Sequence, residues 1–300
     1  MIIGGGPAGN QAATTAARLG ARVTLVERDV VGGAAHLWDC IPSKAMIATG
    51  GAMSYVERAA GMGLAALDPD LDVDALKARI TSIEDRLRSS VEHLLADQGV
   101  RVLRGAGRLA GPHQVLVDTA EATEELDADA VLLATGSRPR IPEWCRPDGD
   151  RILTTRQAYP PPAIPEHLVV IGSGVTGVEF VHMFASFGAK VTLVVSRQQV
   201  LPNKDPEVAA ALEEEFLKRG VKLLIGARAV GIDRDDKGIL VRCDDGRVAR
   251  GSHALLAVGS VPNSDGLGLA EAGILVDERG YVPINQHCQS NLAHVYVAGD

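Results

Sequence analysis

The chain has 300 residues, enough for two domains with their own cores, and its apolar (46%) and charged (23%) fractions are those of a globular protein. A formal charge of -8 without a basic tail argues against a nucleic-acid partner. No apolar run is long enough to span a bilayer and no signal-peptide pattern precedes the first glycines, so the chain reads as cytoplasmic. Cys40, Cys145, Cys243 and Cys288 are scattered, without CxxC or zinc-site spacing, and structural disulfides are not expected.

In chain order, Ile2 and Ile3 end in the run Gly4-Gly5-Gly6-Pro7-Ala8-Gly9. A strand usually has about five or six residues, so this one is expected to be clipped or to begin upstream. An alanine-rich helix over 8–19 and a buried strand Val23 to Val26 follow, closed by Glu27. Residues 41–60 and 72–98 read as long helices. In the second, Leu76, Ile80, Ile83, Leu87, Val91 and Leu94 recur at steps of three or four, a packing stripe. Strands are expected at Val100 to Leu103 and Ala130 to Ala134, with a small antiparallel excursion over 108–129 that includes Gln114 to Asp118.

The proline-rich stretch Tyr159 to Pro165 leads into a second copy of the plan. It has strand Leu168 to Ile171, Gly172-Ser173-Gly174-Val175-Thr176-Gly177, helix 177–187, strand Val191 to Val195, helix 206–219 and strand Lys222 to Ile225. A hairpin region covers 227–250. Leu255 to Val258 then closes in Gly259-Ser260-Val261-Pro262, echoing Thr135-Gly136-Ser137-Arg138-Pro139. The last strand, His294 to Ala298, belongs with the first domain, because a Rossmann sheet needs covering on both faces. The fold class that follows is α/β: two Rossmann-like three-layer dinucleotide-binding domains, the second inserted in the first, each with a small antiparallel β excursion. The borders are read as 1–145, 146–262 and 263–300.

Each glycine run follows an apolar strand, opens a helix and precedes a second strand at the expected distance. The glycines let backbone approach a pyrophosphate at a helix N-terminus, where free N–H groups and the dipole favour an anion. Glu27 stands where a carboxylate accepts the hydroxyls of an adenosine ribose. Its counterpart is Val195, which cannot. Ser196 and Arg197 follow and suit a 2′-phosphate, which points to NADPH over NADH. The alternative is that Arg197 is a solvated loop charge and both NAD and NADP are used.

These motifs, with Gly32-Gly33, Cys40-Ile41-Pro42-Ser43-Lys44 and the closing Ala298-Gly299-Asp300, resemble the FAD-dependent pyridine nucleotide-disulfide oxidoreductases over essentially the whole chain. The resemblance implies that Gly4, Gly6, Pro7, Ala8, Gly9, Glu27, Arg28, Gly33, Ala106, Thr135, Gly136 and Asp300 hold FAD. It implies that Gly172, Gly174, Val175, Gly177, Ser196, Arg197, Val230 and Gly259 hold the nicotinamide dinucleotide. Lys44 and Glu179 match the family's ion pair beside the flavin, and with Cys40 they are the candidate catalytic residues.

Disulfide-reducing members carry two cysteines five positions apart. Here the outer position is Ala35, and exchange needs one thiol to form the mixed disulfide and a second to resolve it. That replacement is similar to the actinobacterial lipoamide dehydrogenase-like quinone reductases, so the acceptor is expected to be a quinone-like small molecule. Cys40 is then a vestige or tunes the flavin, and His36 and Trp38 are acceptor contacts or packing residues. The full-length family is homodimeric through a domain that follows the Ala-Gly-Asp turn, and the sequence as given lacks that domain. Other readings stay open: a lipoamide dehydrogenase-like enzyme using another cysteine, a soluble transhydrogenase, and a non-catalytic nucleotide-binding remnant.

Overall fold

The computed structural model describes residues 1–65, 67 and 69–300. Its elements in chain order are β1 (Ile2–Ile3), α1 (Pro7–Arg18), β2 (Thr24–Glu27), a π-helical turn (Ala35–Asp39), α2 (Cys40–Arg58), α3 (Val73–Asp97) and β3 (Arg101–Arg104). Next come β4 (Ala106–Gly111), β5 (Gln114–Asp118), β6 (Thr123–Asp127), β7 (Val131–Leu133) and β8 (Ser137–Pro139). The second copy runs β9 (Ile152–Thr154), β10 (His167–Ile171), α4 (Val175–Ser186), β11 (Lys190–Val195), α5 (Pro206–Lys218) and β12 (Lys222–Ile225). It continues with β13 (Ala229–Asp235), β14 (Gly238–Cys243), β15 (Val248–Gly251) and β16 (His253–Leu256), and the chain closes with β17 (Ser260–Pro262) and β18 (Val295–Val297).

Two parallel five-stranded sheets share one order, β3-β2-β1-β7-β18 and β12-β11-β10-β16-β9. The glycine-bearing strand is central in each, so its side chains are enclosed on both faces. Leu168, Val169 and Val170 have no exposed surface, and Ile2 and Ile3 are buried. The fifth strand comes from opposite directions in the two sheets. In the first it is β18, which follows the second copy and pairs with β7; in the second it is β9, which precedes the copy and pairs with β16. The second domain is therefore inserted in the first. Each sheet carries a three-stranded antiparallel meander, β4-β5-β6 and β13-β14-β15. The latter packs Ile239 and Val241 against Val169, Val194 and Leu256.

Contacts gather residues 1–41, 81–138 and 260–300 in one unit and 42–80 with 139–259 in the other. The two contact units change at 138–139 and 259–260, at the paired strands β8 and β17. The segment 42–80 groups with the second copy because α2 seats on α4. A Cβ on Gly50 would lie 2.8 Å from the Ser186 Cβ, so only glycine allows this approach without movement. The stripe on α3 drifts by one residue: Leu95 is fully buried and Leu94 is exposed, continuing the four-residue row through Leu87 and Val91. Among the described residues, no helix is long and apolar enough to cross a membrane.

Candidate functional site

The two glycine loops have one geometry. Gly4 (φ +109) and Gly172 (φ +108) turn the chain in the left-handed region. A Cβ there would lie 2.2 Å from the Ala134 carbonyl oxygen in the first and 2.3 Å from that of Ala257 in the second. A Cβ on Gly9 or Gly177 would lie 1.9 Å from the carbonyl oxygen of Gly4 or Gly172. Each helix thus starts pressed against its own sheet. Gly6 and Gly174 are the N-caps of α1 and α4, and neither end receives a side-chain cap. Pro7 opens α1 with the φ a helix wants, and Ala8 follows it. Two uncapped, glycine-lined helix N-termini are ready-made anion sites.

Beside the first loop the Glu27 carboxylate accepts the Gly5 N–H at 2.6 Å and the Asp29 N–H at 2.7 Å. It is therefore aimed at the glycine loop, with acceptor capacity left for a diol. Gly105 N–H donates to the Glu27 carbonyl at 3.0 Å, which places exposed Ala106 by the same strand end. Gly33 packs on the loop: its Cβ would lie 2.5 Å from the Gly6 Cα. Arg28 is exposed and pairs with Asp29 at 3.6 Å. At the next strand end, the Asn263 side chain donates to the Thr135 carbonyl and its backbone N–H to the Gly136 carbonyl. The Ser137 hydroxyl donates to Asp300 at 3.0 Å. Close backbone approach, an anion-ready helix end and a ribose acceptor fit an adenosine diphosphate group, as FAD would present.

In the second copy Val195 is fully buried and offers no acceptor. Ser196 and Arg197 are exposed just beyond it. Val175 and Val230 are exposed apolar residues, at 56% and 43%, on the first turn of α4 and on β13. Gly259 (φ +95) accepts from the Arg140 N–H through its carbonyl.

Lys44 on α2 and Glu179 on α4 form an ion pair at 2.7 Å. The Gly50–Ser186 contact lies farther along both helices, so α2 and α4 run side by side in one direction and hold the pair in register. Cys40 begins α2, one turn before Lys44. The turn before it is π-helical, and the Cys40 N–H donates to the Ala35 carbonyl. Ala35 and Cys40 are thus joined across this turn, and the two positions carry one sulfur between them. None of the four cysteines is in a disulfide. Cys145 and Cys243 are buried in the second unit, where burial and then the Asp148 carboxylate push the Cys145 thiol up to about 11. His36 Nδ1 is buried without a hydrogen-bond partner among the described residues, so that atom faces protein rather than an open site.

Sequence reasoning missed Asn263 and Ser137, which fix the Thr135–Gly136 turn and Asp300, and the π-helical turn itself. The repeated GSxP-like turns were the only signal for the first two.

Two glycine-lined helix N-termini of one design, at the ends of two parallel sheets, define an α/β protein of the dinucleotide-binding class. The chain belongs to the pyridine nucleotide-disulphide oxidoreductase family, whose model matches residues 1–300. It is 41% identical to an NAD(P)H dehydrogenase (quinone) of Mycobacterium tuberculosis, over 100% of this chain and 63% of that protein. It is 39% identical to a dihydrolipoyl dehydrogenase of Zymomonas mobilis, over 100% of this chain and 65% of that one. The crystal structure of LpdA from M. tuberculosis superposes with a TM-score of 0.93 at 41% identity, covering 100% of this chain and 67% of that one. The HOCl-induced flavoprotein disulfide reductase RclA of Escherichia coli gives 0.87 at 25% identity, covering 100% and 65%. The chain therefore spans just under two thirds of the length of the curated relatives it matches.

Proposed function

We propose that this chain is an FAD-dependent NAD(P)H oxidoreductase that passes electrons to a quinone-like small molecule without a redox disulfide. The observation that carries this reading is the π-helical turn, which joins Ala35 and Cys40 by a backbone hydrogen bond and leaves one sulfur where exchange needs two. Similarity to an NAD(P)H dehydrogenase (quinone) supports it.

In this reading the Gly4–Gly9 loop, Pro7, Ala8 and the start of α1 bind the FAD pyrophosphate. Glu27 accepts its ribose hydroxyls, with Arg28, Gly33, Ala106, Thr135, Gly136 and Asp300 completing the site. The flavin, when bound, supplies the two-electron centre. Gly172, Gly174, Gly177, Val175, Val230 and Gly259 hold the nicotinamide dinucleotide. Lys44, oriented by Glu179, places a fixed positive charge for the negative charge that reduction brings. Cys40 contributes a polarisable contact and no exchange chemistry. NADPH is the preferred donor, because Val195 removes the ribose acceptor and Ser196 and Arg197 offer donors. A cytoplasmic setting fits scattered cysteines that form no disulfide.

Steady-state turnover of the FAD-loaded chain tests this. NADPH oxidation is expected with a benzoquinone or naphthoquinone and to stay at background with lipoamide. Lipoamide turnover matching quinone turnover would overturn it.

A further inference from the structure

The proposed preference for NADPH rests on Ser196 and Arg197, and the fold brings more to that place. Ser196, Arg197 and Gln198 form an exposed run beyond β11, and their side chains make no hydrogen bond or ion pair with another described residue. Adjacent β12 is followed by Gly226, whose left-handed turn (φ +73) folds back so that its N–H donates to the Arg197 carbonyl at 3.0 Å. The space a side chain on Gly226 would take is flanked by polar heads. A Cβ there would lie 3.7 Å from Gln198 Nε2 and 3.9 Å from Arg247 Nη2.

Arg247 comes from the turn between β14 and β15 and is held from two sides. Its Nε donates to Asp245 at 2.6 Å and its Nη2 to the Ile225 carbonyl at 2.8 Å. Nη1 has no acceptor among the described residues, and the side chain is 42% exposed. The facing acids are Asp245, consumed in orienting the guanidinium, and Asp244, whose carboxylate accepts the Arg228 N–H.

We propose that Arg247 and Gln198 join Arg197 in a subsite for the 2′-phosphate of NADPH, with Arg247 the pre-oriented cation and Arg197 the mobile one. This rests on the NADPH reading and goes beyond it by placing the second cation on the meander, far from the glycine motif in sequence. A guanidinium fixed at two corners presents its third corner to an oxyanion with little ordering left to do. The missing side chain at Gly226 leaves room for the phosphate oxygens.

Calorimetric titration of the FAD-loaded full chain with 2′,5′-ADP and with 5′-AMP separates the ideas. Arg247→Gln is expected to weaken 2′,5′-ADP by about tenfold, the loss of a charge-assisted hydrogen bond, and to leave 5′-AMP unchanged. Gln198→Glu, at an exposed side chain that bonds nothing in the fold, is expected to do the same. Unchanged 2′,5′-ADP affinity in Gln198→Glu, or equal loss of both ligands in Arg247→Gln, would overturn the subsite. If Arg197→Gln alone abolishes the preference while the other two variants retain it, the NADPH reading stands and this inference fails. If the unaltered chain binds 2′,5′-ADP no better than 5′-AMP, both fail.

Discussion

Replacing Lys44 with methionine is expected to slow reduction of the flavin by NADPH by about a hundredfold, the size of effect seen when one preorganised charge or donor is removed from a reacting centre. The ammonium is set by Glu179 at 2.7 Å, and α2 and α4 are held in register by the Gly50–Ser186 approach. Methionine keeps much of the length and apolar stem of lysine, so the change isolates the charge. FAD content should stay within a few fold, since the glycine loop and Glu27 are untouched. Glu179→Gln should produce a smaller loss. The double variant should be little worse than Lys44→Met alone, because the glutamate acts through the lysine. Stopped-flow bleaching of the flavin band checks this. Additive losses, or an unchanged rate in Lys44→Met, would remove the pair from the proposed chemistry.

The converse experiment adds what the turn lacks. Ala35→Cys is expected to create a disulfide with Cys40, because the Cys40 N–H already donates to the carbonyl of residue 35 across the π-helical turn. Bridging requires Cα atoms within about 7 Å, which a hydrogen-bonded turn of this kind supplies. The variant should lose two titratable thiols on oxidation and take up twice as many reducing equivalents from NADPH, with reactivity toward lipoamide appearing where the parent has none. Ala35→Cys with Cys40→Ser should return every readout to the parental value. If Ala35→Cys keeps all its thiols under oxidising conditions, the turn is not the remnant geometry of a dithiol site.

Much of the fold was legible because duplication is visible at several levels at once. Gly4 and Gly172 share a φ within one degree, and the strand patterns around them repeat. The insertion was legible from His294 to Ala298, a strand with no partner nearby in sequence. The grouping of 42–80 was not, because it depends on Gly50 meeting Ser186, a contact between residues that look ordinary on their own helices. Leu94 was misread for Leu95 because one residue of drift costs nothing in a pattern of threes and fours. The acid loss at Val195 was plain from alignment of the two copies. Arg247 was hidden: it sits on a hairpin turn among acidic and basic neighbours, and only its hydrogen bond to the Ile225 carbonyl reveals that it reaches the end of β12. The π-helical turn leaves no mark in composition, since it is one extra residue in a helical ladder.

In the proposed reaction this chain stores electrons on flavin alone. Anaerobic titration of the FAD-loaded chain with NADPH, followed by the flavin absorbance, measures that capacity directly. One equivalent of NADPH per FAD should complete the bleaching, and a quinone added afterward should restore the oxidised spectrum. Uptake of a second equivalent, or recovery of colour by lipoamide, would show a second redox centre and contradict the account.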